Sequence, residues 1–318
     1  MIKFCKADIG YEEELAARGV LCSGWLAAGE KTKQFEKEFA DYVGVKYAIF
    51  TNSGTSALKM AYKWWKHYMA NNEWGVAIVC PSNTFCATYS AAIEIGLSVS
   101  WYGKNQDPSI PDTRVNVHYG GVKDETPCWL EDSAHRIEAN DPLVGKIRIY
   151  SFYVTKNMTT GAGGMLVTND KDIYEKCRLY WQDGIDKTAY DRQHGGWNYE
   201  VKEMAGGYDG NDLAAAIGLV QLKRLPGFLK ERNMIRDLYN KAFGHDWQGN
   251  HLYPYFVKSE EEVADLIDWL KACEIQASYH YPKTGWLGVS LPIYPLLKPS
   301  EQKEIIEEVM AWRKLKKS

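Results

Sequence analysis

Short β-rich runs alternate with helical patterns between Tyr47 and Thr168. This alternation is typical of an α/β domain with a largely parallel sheet. The predicted strands are residues 47–51, 75–80, 97–102, 114–118, 128–131, 146–152 and 164–168. Hydrophobic positions at helical spacing predict helices at residues 55–68, 87–95 and 171–181. We therefore expect seven strands in one sheet.

The pattern changes after residue 182. Residues 183–211 are rich in Gly, Asp, Tyr and Lys, and a loop this long in a compact domain is usually functional or disordered. Residues 212–243 predict a long helix with one break at Pro226 and Gly227. Strands at 251–257 and 275–280 and helices at 260–273 and 301–314 complete the predicted elements. At 318 residues we expect two units, a large domain at 1–225 and a smaller C-terminal α+β lobe at 226–318.

Composition excludes several classes of function. The 38 basic and 41 acidic residues leave a net charge of −3, so nothing favours nucleic acid as a partner. No apolar run approaches the roughly 20 residues that cross a bilayer, and we expect no membrane contact. The first residues lack an apolar signal core, so we expect a cytoplasmic location. The seven cysteines are scattered without a C-x-x-C pair, which indicates reduced thiols. The seven histidines form no cluster, so we predict no metal site.

Small residues join a predicted strand end to a helix start at residues 52–58. Such a turn directs free backbone N–H groups and the positive end of the helix dipole at an anion, which suits a phosphate. The same residues also fit an ordinary helix cap, with Ser53 or Thr55 bonding its own helix. This segment alone leaves both interpretations open.

Two acids, Glu131 and Asp132, end an apolar strand, and His135 follows them. Open α/β sheets bind ligands beyond the carboxyl ends of their strands. A carboxylate there can keep the ring nitrogen of a cofactor protonated. A helix cap or a surface charge is the alternative, and His135 alone also fits a core or surface histidine.

Lys156 lies between two predicted strands among small residues. An ammonium group is rarely buried unless it is paired or reactive, so a lysine here has a chemical reason if it forms a Schiff base with an aldehyde. A solvated loop lysine is the alternative.

Taken together and in order, these motifs resemble the sugar aminotransferases of the DegT/StrS group, which are fold-type-I pyridoxal-phosphate (PLP) enzymes. The matching segments are residues 53–58, 81–85, 131–135 and 151–164, with weaker likeness at 21–26, 35–40 and 212–218. The resemblance spans most of the first 225 residues. It implies a fold-type-I PLP-transferase with a mainly parallel seven-stranded sheet and a smaller C-terminal lobe.

The resemblance also implies a role for individual residues. Lys156 is then the lysine that binds pyridoxal 5'-phosphate and moves protons, and Asp132 pairs with the pyridine nitrogen. Phe85 is expected to stack on the ring, and His135 to lie near the ring hydroxyl. The phosphate is expected at Gly54, Thr55 and Ser151. Trp25 and His280 are candidates for the substrate side.

Two departures from the family pattern affect the predicted site. The asparagine that normally reaches the phosphate of the neighbouring subunit is replaced by the pair Gly206 and Gly207, with Asn198 and Asn211 as possible substitutes. The region after residues 280–282 is also shorter than usual, which trims the substrate side of the pocket.

The resemblance implies an aminotransferase that moves an amino group from glutamate to the keto group of a nucleotide-linked sugar. It also implies a homodimer with each active site at the subunit interface. Two alternatives are a PLP-dependent sugar dehydratase and a non-catalytic regulatory relative. Lys156 argues against the first, because dehydratases of this scaffold replace the lysine with histidine. Intact Lys156, Asp132 and Ser151 argue against the second, and the missing asparagine argues slightly for it.

Overall fold

The computed structural model describes residues 1–70, 77–103, 111–195, 197–282 and 284–316. The helices in these ranges are α1 (Tyr11–Ser23), α2 (Glu30–Val43), α3 (Gly54–Met69), α4 (Cys86–Glu94), α5 (Lys171–Trp181), α6 (Ala189–Gly195), α7 (Asp212–Phe243), α8 (Glu260–Ala272) and α9 (Pro299–Leu315). The strands are β1 (Tyr47–Thr51), β2 (Ala77–Pro81), β3 (Ser98–Tyr102), β4 (Val115–Val117), β5 (Leu130–Asp132), β6 (Ile147–Ser151), β7 (Gly164–Thr168), β8 (Tyr253–Phe256), β9 (Ser278–Tyr279) and β10 (Gly288–Leu291).

The central sheet is mixed but mainly parallel. Its five strands lie in the order β1-β7-β6-β5-β4, with β7 antiparallel to both neighbours and the β4–β5 and β5–β6 pairs parallel. Strands β2 and β3 form a parallel pair, and a single parallel bridge from Val79 to Arg114 joins this pair to the sheet. The predicted α/β class is thus confirmed, with the seven strands divided into five and two. Residues 75 and 76 of the predicted second strand lie outside the described residues.

Helices cover both faces of the central sheet. Along β6, Ile147 and Ile149 pack into a cluster that includes residues of α3, whereas Tyr150 packs with residues of α2 and α7. Successive strand residues point to opposite faces, so this alternation requires an apolar layer on each side. The carboxyl ends of β5 and β6 therefore emerge at an edge of the sheet that remains free to bind a ligand.

Helix α7 runs without interruption through Pro226, so the predicted break at Pro226 and Gly227 is wrong. A proline inside a helix costs roughly 3 kcal/mol because it removes one hydrogen bond and crowds the preceding turn. Leu225 and Leu229, on either side, are buried. Arg224 also pairs with Glu13 of α1, so packing holds both flanking turns and an ion pair holds the preceding one.

The C-terminal part has its own core and a three-stranded antiparallel sheet in the order β8-β10-β9. Strand β10 is absent from the sequence-based prediction. Ile2 belongs to this core and bridges to Ile275, so the N-terminal residues join the C-terminal lobe. The expected domain boundary between residues 225 and 226 falls inside α7 and stays a prediction.

Asp212 ties α7 to α2. Its buried carboxylate accepts hydrogen bonds from the backbone of Gly29, Lys31 and Thr32 and from the Thr32 hydroxyl, at 2.8 to 3.2 Å. A carboxylate at a helix N-terminus satisfies free N–H groups and favours the helix dipole. The start of α2 is thereby fixed by a residue about 180 positions later in the chain.

Some features concern only the described part of the chain. No helix in those ranges is both long and apolar enough to span a membrane. Nor do they contain a group of three or more His, Cys, Asp or Glu residues arranged to hold a metal ion. The seven cysteines are all free.

Candidate active site

A cavity of about 460 Å³ lies where the ends of β5 and β6 meet the start of α3 and the C-terminal lobe. We call it the Lys156 cavity. The residues predicted from sequence that line it are Gly54, Thr55, Phe85, Asp132, His135, Ser151, Lys156 and His280. Trp25 does not line it and instead borders a separate depression with Tyr190. The structure therefore brings eight of the nine predicted residues together.

Asp132 ends β5 and is buried. One carboxylate oxygen accepts from the Thr88 hydroxyl at 2.7 Å, and the other accepts from the Ala134 N–H at 3.1 Å. Burial raises the pKa of Asp132, while these two hydrogen bonds and the Lys156 cation oppose the rise. A buried carboxylate held in one orientation can pair with a cationic ring nitrogen.

Glu131 anchors the strand end that holds Asp132. Its buried carboxylate bonds Arg148 at 2.6 Å and His118 at 3.0 Å, and accepts from the N–H groups of Val144 and Gly145. Burial opposes its ionisation, but the bonds from His118 and Arg148 dominate and lower the pKa of Glu131. The two adjacent acids thus have different roles. The carboxylate oxygens of Glu131 are bonded to protein groups, whereas Asp132 faces the cavity.

Lys156 lies on the turn after β6, where its N–H donates to the Tyr153 carbonyl at 2.9 Å. Burial lowers its pKa to about 8, and the negative charge of Asp132 opposes part of that change. A lysine whose pKa is near neutrality has a substantial fraction of neutral amine, which is the nucleophilic form. The predicted reactive lysine therefore has an environment that suits its chemistry.

The start of α3 closes one end of the cavity. Ser53 caps the helix by accepting from the Ser56 N–H at 3.1 Å, so the ordinary cap is present. The N–H groups of Gly54 and Thr55 belong to the first helical turn, which has no intrahelical acceptors for them. A Cβ at Gly54 would lie 3.1 Å from Cβ of Ser151, so glycine permits this close approach. The helix cap is therefore compatible with the binding of an anion by these N–H groups.

Three histidines surround Lys156, and its positive charge contributes to lowering the pKa of each, after burial. His280 bonds Ser290 at 2.8 Å, and its pKa falls to about 4. His135 and His251 are buried, and their ring centroids are 4.3 Å apart. All three imidazoles are thus neutral near pH 7.

Sequence reasoning missed several residues of the cavity. Thr88, His251 and Tyr281 line it together with Phe4 and Cys5 of the N-terminal segment. Thr88 lies in the first turn of α4, three positions after Phe85. Residues three apart share a helix face, so this spacing could have placed Thr88 beside the cavity. No local pattern marks His251 or the N-terminal segment, because the fold brings them in from far along the chain.

The sequence profile of the DegT/DnrJ/EryC1/StrS aminotransferase family matches residues 7–111 and 128–288. The spore coat polysaccharide biosynthesis protein SpsC of Bacillus subtilis is 35% identical over 374 residues, covering 95% of this chain and 94% of SpsC. The UDP-4-amino-4,6-dideoxy-N-acetyl-beta-L-altrosamine transaminase of Helicobacter pylori is 28% identical over 312 residues, covering 85% of this chain and 81% of that enzyme.

Solved structures show the same fold. PseC of Helicobacter pylori, an aminotransferase involved in the biosynthesis of pseudoaminic acid, superposes with a TM-score of 0.85 at 22% identity and 98% coverage of both chains. The PLP form of Spr1654 from Streptococcus pneumoniae gives 0.84 at 21% identity, covering 98% of this chain and 99% of that one. With the profile match over most of its length, the chain belongs to the DegT/DnrJ/EryC1/StrS aminotransferase family.

Proposed function

We propose that this protein is a PLP-dependent aminotransferase that transfers an amino group, from glutamate, to the keto group of a nucleotide-linked sugar. Family membership and relatives such as the altrosamine transaminase support this function. The observation that carries it is the placement of Asp132 and Lys156 in one cavity beside the first turn of α3. That arrangement provides the three contacts that PLP needs, at its aldehyde, its ring nitrogen and its phosphate.

The residues present fit PLP by their chemistry. Asp132 is a fixed, buried carboxylate for the ring nitrogen, and Lys156 is an amine with a lowered pKa for the aldehyde. Gly54 allows α3 to approach Ser151 closely, which leaves helix N–H groups and a hydroxyl for a phosphate. Phe85 is 59% exposed and lines the cavity, so its ring is available to stack on a planar ligand.

PLP supplies the electron sink that stabilises negative charge at the substrate carbon. This chain supplies the groups that bind, orient and move protons. The Lys156 amine would hold the proton that moves between the substrate carbon and the cofactor carbon. Thr88 and the Ala134 N–H keep the Asp132 carboxylate facing the cavity. His280, held by Ser290, lies on the substrate side as a neutral hydrogen-bonding group.

A homodimer is part of the proposal. Several large apolar side chains at or near the mouth of the cavity or on the N-terminal helix are exposed, and they include Tyr11, Leu15, Phe85 and Tyr153. Exposed apolar side chains gain free energy from burial against a partner, and a second copy of this chain is the partner we propose. Cytoplasmic location stays a prediction.

Lys156 argues against both the dehydratase and the regulatory alternative. Lys156 is present in the cavity with a lowered pKa, and Asp132 faces it. A protein that had lost catalysis would have no need to keep an amine with this pKa beside a buried carboxylate. The structure therefore favours amino-group transfer over both alternatives.

The test is the half-reaction with sugar. The protein is loaded with pyridoxamine phosphate, and keto-sugar nucleotides are screened for return of the PLP absorbance. Lys156→Ala and Lys156→Arg should abolish this conversion while leaving the circular dichroism spectrum unchanged. Retention of even about a tenth of wild-type turnover in either variant would reject Lys156 as the proton-moving lysine.

A further inference from the structure

His251 lies in the Lys156 cavity far from every sequence motif of the predicted site. Its ring and that of His135 have centroids 4.3 Å apart and planes inclined by 32°. Both side chains are buried and both line the cavity. His251 therefore packs on a residue that the proposed function assigns to the cofactor.

The backbone of Gly120 bonds both the ring of His135 and the backbone of His251. The backbone N–H of Gly120 donates to Nδ1 of the His135 ring at 3.2 Å, and the Gly120 carbonyl accepts from the backbone N–H of His251 at 2.9 Å. Gly120 has a φ of 64°, and a Cβ there would lie 2.7 Å from the Trp247 ring, so only glycine fits. Because Nδ1 of His135 accepts a hydrogen bond, its proton lies on Nε2 and the ring offers a donor.

A chain of side-chain hydrogen bonds also determines which ring nitrogen of His251 carries the proton. The Glu138 carboxylate can only accept, so Asn250 turns its NH₂ towards it, at 3.3 Å. The Asn250 oxygen then accepts from the NH₂ of Asn157 at 3.3 Å. The Asn157 oxygen faces Nδ1 of His251 at 2.8 Å, so that nitrogen donates and Nε2 has the lone pair. Asn157 directly follows Lys156 in the chain.

The charged and titratable groups around His251 favour its neutral form. After burial, His135, Lys156, Arg232 and His280 each contribute to lowering the pKa of His251. A neutral imidazole can stack on His135 without charge repulsion and keep its bond to Asn157. The position of one ring is thereby linked to the position of the other and to the loop of Lys156.

We propose that His251 is a positioning residue, which holds the His135 N–H towards the ring hydroxyl of PLP and, through Asn157, keeps the loop of Lys156 in place. This inference rests on the proposed function, because it takes His135 as the partner of the ring oxygen. It gives a role to a residue of the C-terminal half of the chain, in a site whose sequence-predicted residues all lie before residue 157 except His280.

The test is the pH at which the absorbance of the bound cofactor changes, measured in PLP-loaded wild type, His135→Phe, His251→Leu and the double variant. A donor on the ring oxygen withdraws electrons and disfavours a proton on the neighbouring Lys156 nitrogen. Loss of that donor should raise the midpoint by about one pH unit in His135→Phe. His251→Leu should raise it in the same direction by less, and the double variant should match His135→Phe.

His245→Phe is the matched control, because His245 is an imidazole bonded to Tyr253 in the C-terminal lobe and does not line the cavity. Its midpoint should equal that of wild type. If His251→Leu does not fold, His251→Asn provides the same comparison, with unfolding temperatures of all apoproteins measured alongside.

An unchanged midpoint in His251→Leu, with only a lower unfolding temperature, would overturn the inference in favour of a packing role. Additive shifts in the double variant would also overturn it, because His251 would then contact the cofactor directly. Failure of the proposed function looks different, since wild type would not develop the bound-cofactor absorbance or Lys156→Ala would develop it equally.

Discussion

Lys156 should attach PLP with a pH midpoint near 8, about 2.5 pH units below that of an ordinary lysine. Burial lowers the pKa of Lys156 from 10.5 to about 8. At pH 7 this makes the neutral amine roughly 300 times more abundant than in an unperturbed lysine, because each pH unit is a factor of ten. Only the neutral amine attacks an aldehyde, so the rate of attachment at neutral pH should be higher by a similar factor.

Asp132 provides a second test of this prediction, in which the pH midpoint should shift further downwards. Its negative charge raises the pKa of Lys156 against the larger effect of burial. Asp132→Asn removes that charge, so the lysine should lose its proton more readily. The pH midpoint for attachment should therefore fall below 8 in this variant.

The assay mixes apoprotein with PLP over a range from about pH 6 to pH 10 and follows absorbance, with borohydride trapping to identify the modified lysine. Lys63→Ala is the control, because Lys63 also has a lowered pKa but lies outside the cavity. It should attach PLP as wild type does. A rate that keeps rising up to pH 10, or trapping at a lysine other than Lys156, would refute the reasoning.

Three further predictions test the residues around Lys156. Asp132→Asn should bind PLP but lose most transaminase turnover, since an amide cannot hold a proton on the ring nitrogen; full activity in steady-state assays would contradict this. Thr88→Val removes a hydrogen bond that lowers the pKa of Asp132, so the acid limb of the pH–rate profile should move to higher pH, whereas an unmoved limb would exclude Thr88 from this role. Glu131→Ala removes the nearer of the two carboxylates that pair with the buried Arg148 and leaves only Asp141, so it should cost about 3–5 kcal/mol in urea unfolding, and a loss below about 1 kcal/mol would show that the Glu131–Arg148 pair is dispensable.

Sequence reasoning located the parts of the site that depend on local geometry. The start of α3, the end of β5 and the turn after β6 each combine a strand end with small or acidic residues, and strand-end ligand sites are a property of the α/β architecture. Gly54, Asp132 and Lys156 could be assigned because residue type and position agree within a few residues. The structure brings all three to one cavity.

The remaining residues depend on tertiary packing that no local pattern encodes. His251 enters the cavity through a turn of Gly120 and a bond to Asn157, which is 94 positions away. Pro226 predicts a helix break, yet buried neighbours and an ion pair to α1 keep α7 continuous. Trp25, a candidate for substrate contact, packs beside Tyr190 outside the cavity.

The segment before α7 bears on how the phosphate is held. The pair Gly206 and Gly207 stands where the family resemblance leads us to expect an asparagine, and the next residue is fixed to its own sheet, since the Asn52 N–H donates to the Tyr208 carbonyl. Asn211 accepts from the Ala214 N–H at 2.9 Å as the cap of α7, so turning its side chain elsewhere would cost about 1 kcal/mol. The cap uses only the side-chain oxygen of Asn211, and a phosphate would accept from its NH₂, so the cap fixes the direction of that donor without removing it. The first turn of α3 and Ser151 of the same subunit remain the main phosphate contacts that we propose.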